Sequence, residues 1–364
     1  MGLIPPAAAH LEIIPMNFET YLIVAFLGFL GGMLSGFFGS GGAFVMTPGM
    51  MSLGIPGINA VSGNIAHKFG KAVMGSKRHA EMGHVDAKLG IVMIIFLLTG
   101  LEIAVNVQAY IYEIMGKAAS NLYISIIFII VLTAVASFMY RDIKKSMRKE
   151  KVETDGGTVT KFSRKIQSIN IPPMVEFKTA KIRVSLWFPA GIALGTGFLA
   201  GTIGVGGFIG VPGMIYLLGI PATVAAGTEL FLAVFDGAVG AYLYTIAGFL
   251  DIRIPILLYL GSMIGIQTGA IATKYVREVM IKVVLVIVMV SSTISRAMSV
   301  PKYLNTMGVI HMNTNIARII DIVGGWVLYI GAAVGVLVII ISMRKGMKKL
   351  AVEKAPIGTP SEGR

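Results

Sequence analysis

The chain has no cysteine, which excludes disulfides, thiol catalysis and cysteine-ligated metals. It is also poor in charge. Asp, Glu, Lys and Arg make up 13% of its 364 residues, against about 25% in a soluble domain. Its first twenty residues hold no Lys or Arg, and Pro5, Pro6 and Pro15 interrupt them, so they make a poor signal peptide. His67, His79 and His84 lie close in sequence but lack a helix-spaced carboxylate pattern such as His-Glu-x-x-His. No nucleophile–base pair stands out either. The sequence therefore argues against an enzyme, and it calls for no cofactor or metal.

Hydrophobic residues take the place of the missing charge. They make up 55% of the chain, and the mean hydropathy is +0.81. They fall in blocks such as Leu89–Ala104, Leu122–Met139 and Val283–Val290, each flanked by charge. A helix crossing the hydrocarbon core needs about 20 mostly apolar residues, and no amphipathic partner helices with broad polar faces are present to make a soluble core. The fold class read from this is an all-α integral membrane protein. A net charge of +13 would suggest nucleic acid as a partner of a soluble chain. Here the basic residues sit mostly in the connections, where they orient spans, and nucleic acid is not expected.

The chain repeats itself at an offset of 165 residues. The stretch Gly32-Met-Leu-Ser-Gly36-Phe-Phe-Gly39-Ser40-Gly41-Gly42 recurs as Gly197-Phe-Leu-Ala-Gly201-Thr-Ile-Gly204-Val205-Gly206-Gly207. Pro48-Gly49-Met50 recurs as Pro212-Gly213-Met214 after a one-residue deletion, and Gly54-Ile55-Pro56 as Gly219-Ile220-Pro221. Ala60 recurs as Ala225, and Gly83-His-Val-Asp86 matches Gly248-Phe-Leu-Asp251.

The connection Arg141–Arg183 holds twelve Lys/Arg, and the tail from Arg344 adds Lys345, Lys348 and Lys349. Both are read as cytoplasmic, as is the 77–88 loop. The first half then reads 21–39, a short 43–54, 57–76, 89–112 and 120–140, starting outside. The second reads 185–203, a short 207–218, 222–247, 253–273 and 281–297, starting inside. This is an inverted repeat of about five helical segments each, plus one extra C-terminal span, in a multi-pass plasma (inner) membrane protein. The short segments 43–54 and 207–218 either span or are re-entrant. The organisation expected is an extracytoplasmic segment (1–20), a first repeat (21–140), a basic cytoplasmic linker (141–184) and a second repeat (185–297). An extracytoplasmic loop (298–322), a final helix (323–343) and a cytoplasmic basic tail (344–364) complete the chain. The linker, including Glu153-Thr-Asp-Gly-Gly, is read as solvated.

The glycine clusters are the first functional candidates. Gly39, Ser40, Gly41 and Gly42, and Gly204, Gly206 and Gly207 in the second half, each follow an apolar helix and precede a short one with a proline. Paired helix breaks at matching positions are the best sequence pointer to a transporter site, and the N–H groups opening the next helix suit an anion. Gly32/Gly36 and Gly197/Gly201 are read as packing pairs. Charges inside apolar segments come next. Asn64, Lys68 and Lys71 share one helix face, and Glu229 and Asp236 share another. The repeat offset sets Glu229 against Asn64 and Asp236 against Lys71. These residues make either a structural ion pair, such as Lys71 with Asp236, or an anion site with a proton-coupling carboxylate at Glu229 or Asp236. Thr228 completes the binding set, Glu102 stays unassigned, and Asp86 and Asp251 are read as helix caps.

The paired blocks resemble the TauE/SafE family of sulfite and organosulfonate exporters. The residues that carry the likeness are Gly39–Pro48, Gly54-Ile55-Pro56 and Ala60-Val61-Ser62, then Gly204–Pro212, Gly219-Ile220-Pro221 and Ala225-Ala226-Gly227-Thr228. The resemblance spans about residues 20–345 without the central loop, and implies a plasma-membrane transporter of small anions, sulfur oxyanions or organosulfonates. Ser62-Gly63-Asn64 stands where the second half has Gly227-Thr228-Glu229, so the halves are not equivalent. The expected partners are a small anionic solute and the lipid bilayer, with a homo-oligomer left open. The competing readings are an anion channel-like pore and a transporter of an unrelated small solute.

Overall fold

The computed structural model describes residues 13–38, 42–148, 161–273, 275–276 and 278–353. Helix α1 (Phe18–Phe38) is capped by Asn17, whose Oδ1 accepts the Thr20 amide at 2.9 Å. After the glycine break come α2 (Ala43–Ser52) and α3 (Gly57–Glu81), the latter entered through Pro56. Helix α4 covers Ala87–Arg148, with a non-helical Gly116 at φ 79° and ψ 177° inside it. Its 58-residue apolar part, Ala87–Lys144, would be about 87 Å long if straight, nearly three times a bilayer core of about 30 Å. The arms 87–115 and 117–148 are therefore separate crossings, and Gly116 supplies the positive φ where they join.

Past the linker, the second half opens with α6 (Trp187–Ile203), a break, α7 (Gly207–Pro212) and a π-helical turn at Gly213–Leu218. The π-turn begins directly after Pro212, which has no N–H to give to an α-helical ladder. Then come α8 (Ala222–Ile246, entered through Pro221), α9 (Arg253–Thr273), α10 (Glu278–Thr306) and α11 (Thr314–Glu353). Among the described residues six helices are long and apolar enough to cross a membrane, as the blocks of the sequence require. The structure is that of an all-α, multi-pass membrane protein.

Helix α3, read from the sequence as a span, is not one of the six. Its Asn59, Ser62, Asn64 and His67 are buried inside the protein, and these polar groups lower its hydropathy. Helix α2 has 10 residues, about 15 Å, and α7 with its π-turn has 12, about 18 Å. Neither length crosses the hydrocarbon core. They are half-helices.

The two halves interlock through their glycines. A Cβ on Gly32 would strike the Ser262 backbone, and one on Gly36 the Ile266 backbone. Moved by 165, Gly197 meets Leu97 and Gly201 meets Leu101. Each contact is the other with its partners exchanged between halves: α1 packs on α9 as α6 packs on the first arm of α4. These four glycines serve close packing, as their spacing indicates.

The linker is the main departure from expectation. Residues 149–160, with Glu153–Gly157, lie outside the described residues. Residues 141–148 end α4, and 161–184 keeps a solvated face but buries the other: it forms α5 (Lys161–Gln167) and an antiparallel pair, β1 (Met174–Phe177) with β2 (Ile182–Ser185), in which Phe177 pairs with Ile182. Phe177 and Val184 are wholly buried in a cluster with Leu89, Met93, Met214 and Leu218. Those apolar side chains are interspersed with charge in the sequence, so composition alone masked the core they build.

Candidate substrate site

The break after α6 sets the geometry. Gly204 takes φ 76°, a left-handed conformation that glycine adopts without strain. The carbonyls released at the break do not go unpaired. Gly201 O accepts from Tyr244 Oη at 2.5 Å and from Gln108 Nε2 at 3.0 Å, and Thr202 O also accepts from Gln108. Thr47 of α2 donates to Ile203 O at 3.5 Å and accepts from Asn64 Nδ2 at 2.9 Å. Thr47 thereby joins the first half-helix to the end of α6 and to α3.

Ala43, Asn64, Lys68, Lys71, Gly204, Val205, Gly206 and Gly207 line one cavity of about 30 Å³. Six of these residues come from the sequence-derived site set, and both halves contribute. Lys68 Nζ pairs with Asp236 Oδ2 at 2.7 Å, with Asp236 1% and Lys68 20% exposed. The ion pair expected between α3 and α8 thus exists, but Lys68 makes it. Residues 68 and 71 are one turn apart, and repeat arithmetic cannot tell which of them reaches Asp236. Lys71 has no carboxylate or hydrogen-bond partner among the described residues, and it faces the cavity.

Glu229 is 5% exposed, and neither carboxylate oxygen has a hydrogen-bond partner among the described residues. It lies against α7: a Cβ on Gly207 would come within 3.3 Å of Oε1, and one on Gly210 would collide with Oε2. Asp236 Oδ1 is likewise unpartnered among the described residues. Thr228 is placed elsewhere, its Oγ1 accepting the Asp86 amide at 3.1 Å. Gly42 packs on Gly31 of α1 and is not among the residues lining the cavity. Gly39, Ser40 and Gly41 lie outside the described residues. His67 Nε2 meets Ser262 Oγ at 2.7 Å, a packing histidine. Glu102 faces outward on α4, away from the cavity.

The two repeated aspartates cap their helices and also tie the halves together. Asp86 Oδ1 accepts Leu89 N at 3.0 Å, and its Oδ2 accepts Ala180 N at 2.9 Å. Asp251 Oδ1 accepts Arg253 N at 3.1 Å, and its Oδ2 accepts Ile14 N at 3.3 Å. Each therefore holds the strand of chain that leads into the other half. Burial pushes the Asp251 carboxyl up, but the bonds from Arg253 and from the Ile14 amide outweigh it and hold the group below its ordinary value. Sequence reasoning missed Thr47, Gln108, Tyr244 and Arg296. Gln108 and Arg296, as polar residues inside apolar blocks, carried a signal that could have found them; Tyr244 and Thr47 carried none.

The family model for the sulfite exporter TauE/SafE matches residues 24–296. The chain is also similar to the probable membrane transporter protein YdhB of Bacillus subtilis (strain 168), at 22% identity over 265 residues, 72% of this chain and 94% of that protein. No solved structure matches it. The match runs from Val24, in the first third of α1, through both half-helices to Arg296, and the chain belongs to the sulfite exporter TauE/SafE family.

Proposed function

We propose that the protein is a secondary transporter that moves a small anion, a sulfur oxyanion or an organosulfonate, by alternating access between two inverted repeats. The observation that carries this reading is the shared cavity. Asn64, Lys68 and Lys71 of the first half and Gly204, Gly206 and Gly207 of the second line it together. One lysine there is neutralised by Asp236 and the other, Lys71, is left to meet an anion. At about 30 Å³ the cavity has room for about one water molecule, so an oxyanion enters only when the half-helices part.

Exchange of the glycine contacts between halves supports a two-fold relation. The basic linker and tail, read as cytoplasmic, set the halves in opposite orientation. Glu229 is the group assigned to carry a coupling proton: it is buried, bonded to nothing among the described residues, and lies against the second half-helix. An inside-negative potential favours export of a divalent anion, at about 2.3 kcal/mol per charge per 100 mV.

The test is flux into proteoliposomes with sulfite, sulfate, sulfoacetate and taurine as competitors, with and without a pH gradient. Wild-type protein should show saturable anion flux. Lys71→Ala should abolish most of it, and Glu229→Gln should leave flux that no longer responds to the gradient. Normal, gradient-sensitive flux in both variants would remove the site assignment.

A further inference from the structure

Arg296 is the largest fully buried side chain among the described residues, and the transport reading gives it no part. It lies in α10, in a run where Ser292, Ser295 and Ser299 are also fully buried. Among the described residues it has no carboxylate partner. Its Nη2 donates to Ser52 Oγ at 2.6 Å and to Ser295 Oγ at 3.3 Å, while Nε and Nη1 donate to nothing among the described residues. A buried guanidinium without a counter-charge is costly, and the neighbouring structure identifies what compensates it.

Ser52 is the last residue of α2, and its Oγ donates in turn to Pro48 O at 3.0 Å. Arg296 thus sits at the carbonyl end of α2, which carries a partial negative charge. Tyr329 of α11 donates to Gly49 O at 3.0 Å at the same end, and Gly325 of α11 lies over Ser52. The opposite end of α2 begins at Ala43, in the wall of the cavity. Among the described residues, the matching half-helix of the second half has no such cation. Its last carbonyl, Leu218 O, accepts from the neutral Gln167 Nε2 of α5 at 2.7 Å.

We propose that Arg296 is a positioning residue for anion binding in the cavity. It holds the carbonyl end of α2 and balances its negative pole, leaving the positive pole and the arginine's own field directed at the anion. This rests on the reading of the cavity as the anion site. Helix α2 has ten residues and is about 15 Å long, so with side-chain reach the guanidinium stands about 20 Å from a cavity anion. Through an effective dielectric of about 20, one unit charge at that distance changes the affinity for a monovalent anion about fourfold, and for a divalent anion about sixteenfold.

That dependence on charge is the test. The apparent KM for methanesulfonate (monovalent) and for sulfate (divalent) would be measured by proteoliposome flux at one pH. The set is wild type, Arg296→Gln, Arg296→Lys and Ser52→Asp. Arg296→Gln should raise the KM about fourfold for the first anion and about sixteenfold for the second. Arg296→Lys, which keeps the charge, should stay within about twofold of wild type for both. Ser52→Asp cancels the charge with the arginine in place, and should reproduce the Arg296→Gln pattern even if that variant fails to reach the membrane. An equal shift for both anions, or Arg296→Lys behaving as Arg296→Gln, overturns the proposal and leaves the cavity reading standing. Absence of anion flux in the wild type overturns both.

Discussion

Lys68 and Asp236 form the charged contact that ties α3 to α8, and its energetics can be estimated. At 2.7 Å and an effective dielectric of about 20, the attraction is about 6 kcal/mol. Lys68 keeps 20% of its side chain exposed, which screens part of it, and desolvation of both groups offsets more. Breaking a buried pair by removing one partner costs about 3–5 kcal/mol, because the other charge is left alone. We therefore expect Asp236→Asn to lower stability by about 3 kcal/mol and Lys68→Met by about 2–3, while the double variant loses much less than the sum. The assay is a double-mutant cycle read from equilibrium unfolding in mixed micelles. The coupling energy should be about 2 kcal/mol or more. Additive effects, with coupling under about 0.5 kcal/mol, would refute the reasoning and leave the two groups as independent neighbours.

Two further predictions concern the frame around the site. Gly36→Ala and Gly201→Ala should each cost about 1–3 kcal/mol in the same unfolding assay, because their new Cβ atoms meet the facing helices. Gly191→Ala, with nothing within 4 Å, should be neutral or stabilise by up to about 1 kcal/mol through helix propensity; a loss there as large as at Gly36 would contradict the close-packing role. For Asp251 the folded-state value lies below the ordinary one, so its contribution is present above the unfolded pKa of about 3.9. That contribution is lost as pH falls through the lowered folded value. Asp251→Asn should therefore lower the thermal midpoint at neutral pH and flatten its fall below pH about 4; unchanged acid sensitivity would count against the Ile14 and Arg253 tethers.

The sequence by itself determined the membrane class, the repeat and its 165-residue offset, and the glycine pairs. Each is written in local composition or in spacing along one chain. It also selected Asn64, Lys68, Lys71, Gly204, Gly206 and Gly207, because charge and helix breaks inside apolar segments are costly unless they face a cavity. It could not decide which lysine meets Asp236, since Lys68 and Lys71 share a helix face and differ by one turn. Only the tertiary structure turned Thr228 toward Asp86, buried Phe177 of the linker beneath α4 and the second half-helix, and placed Arg296 at the end of α2. Those outcomes depend on contacts between residues far apart in the chain, 142 positions for Asp86 with Thr228 and 244 for Ser52 with Arg296. No periodicity along the chain encodes such pairings; they arise from how helices pack once the halves have come together.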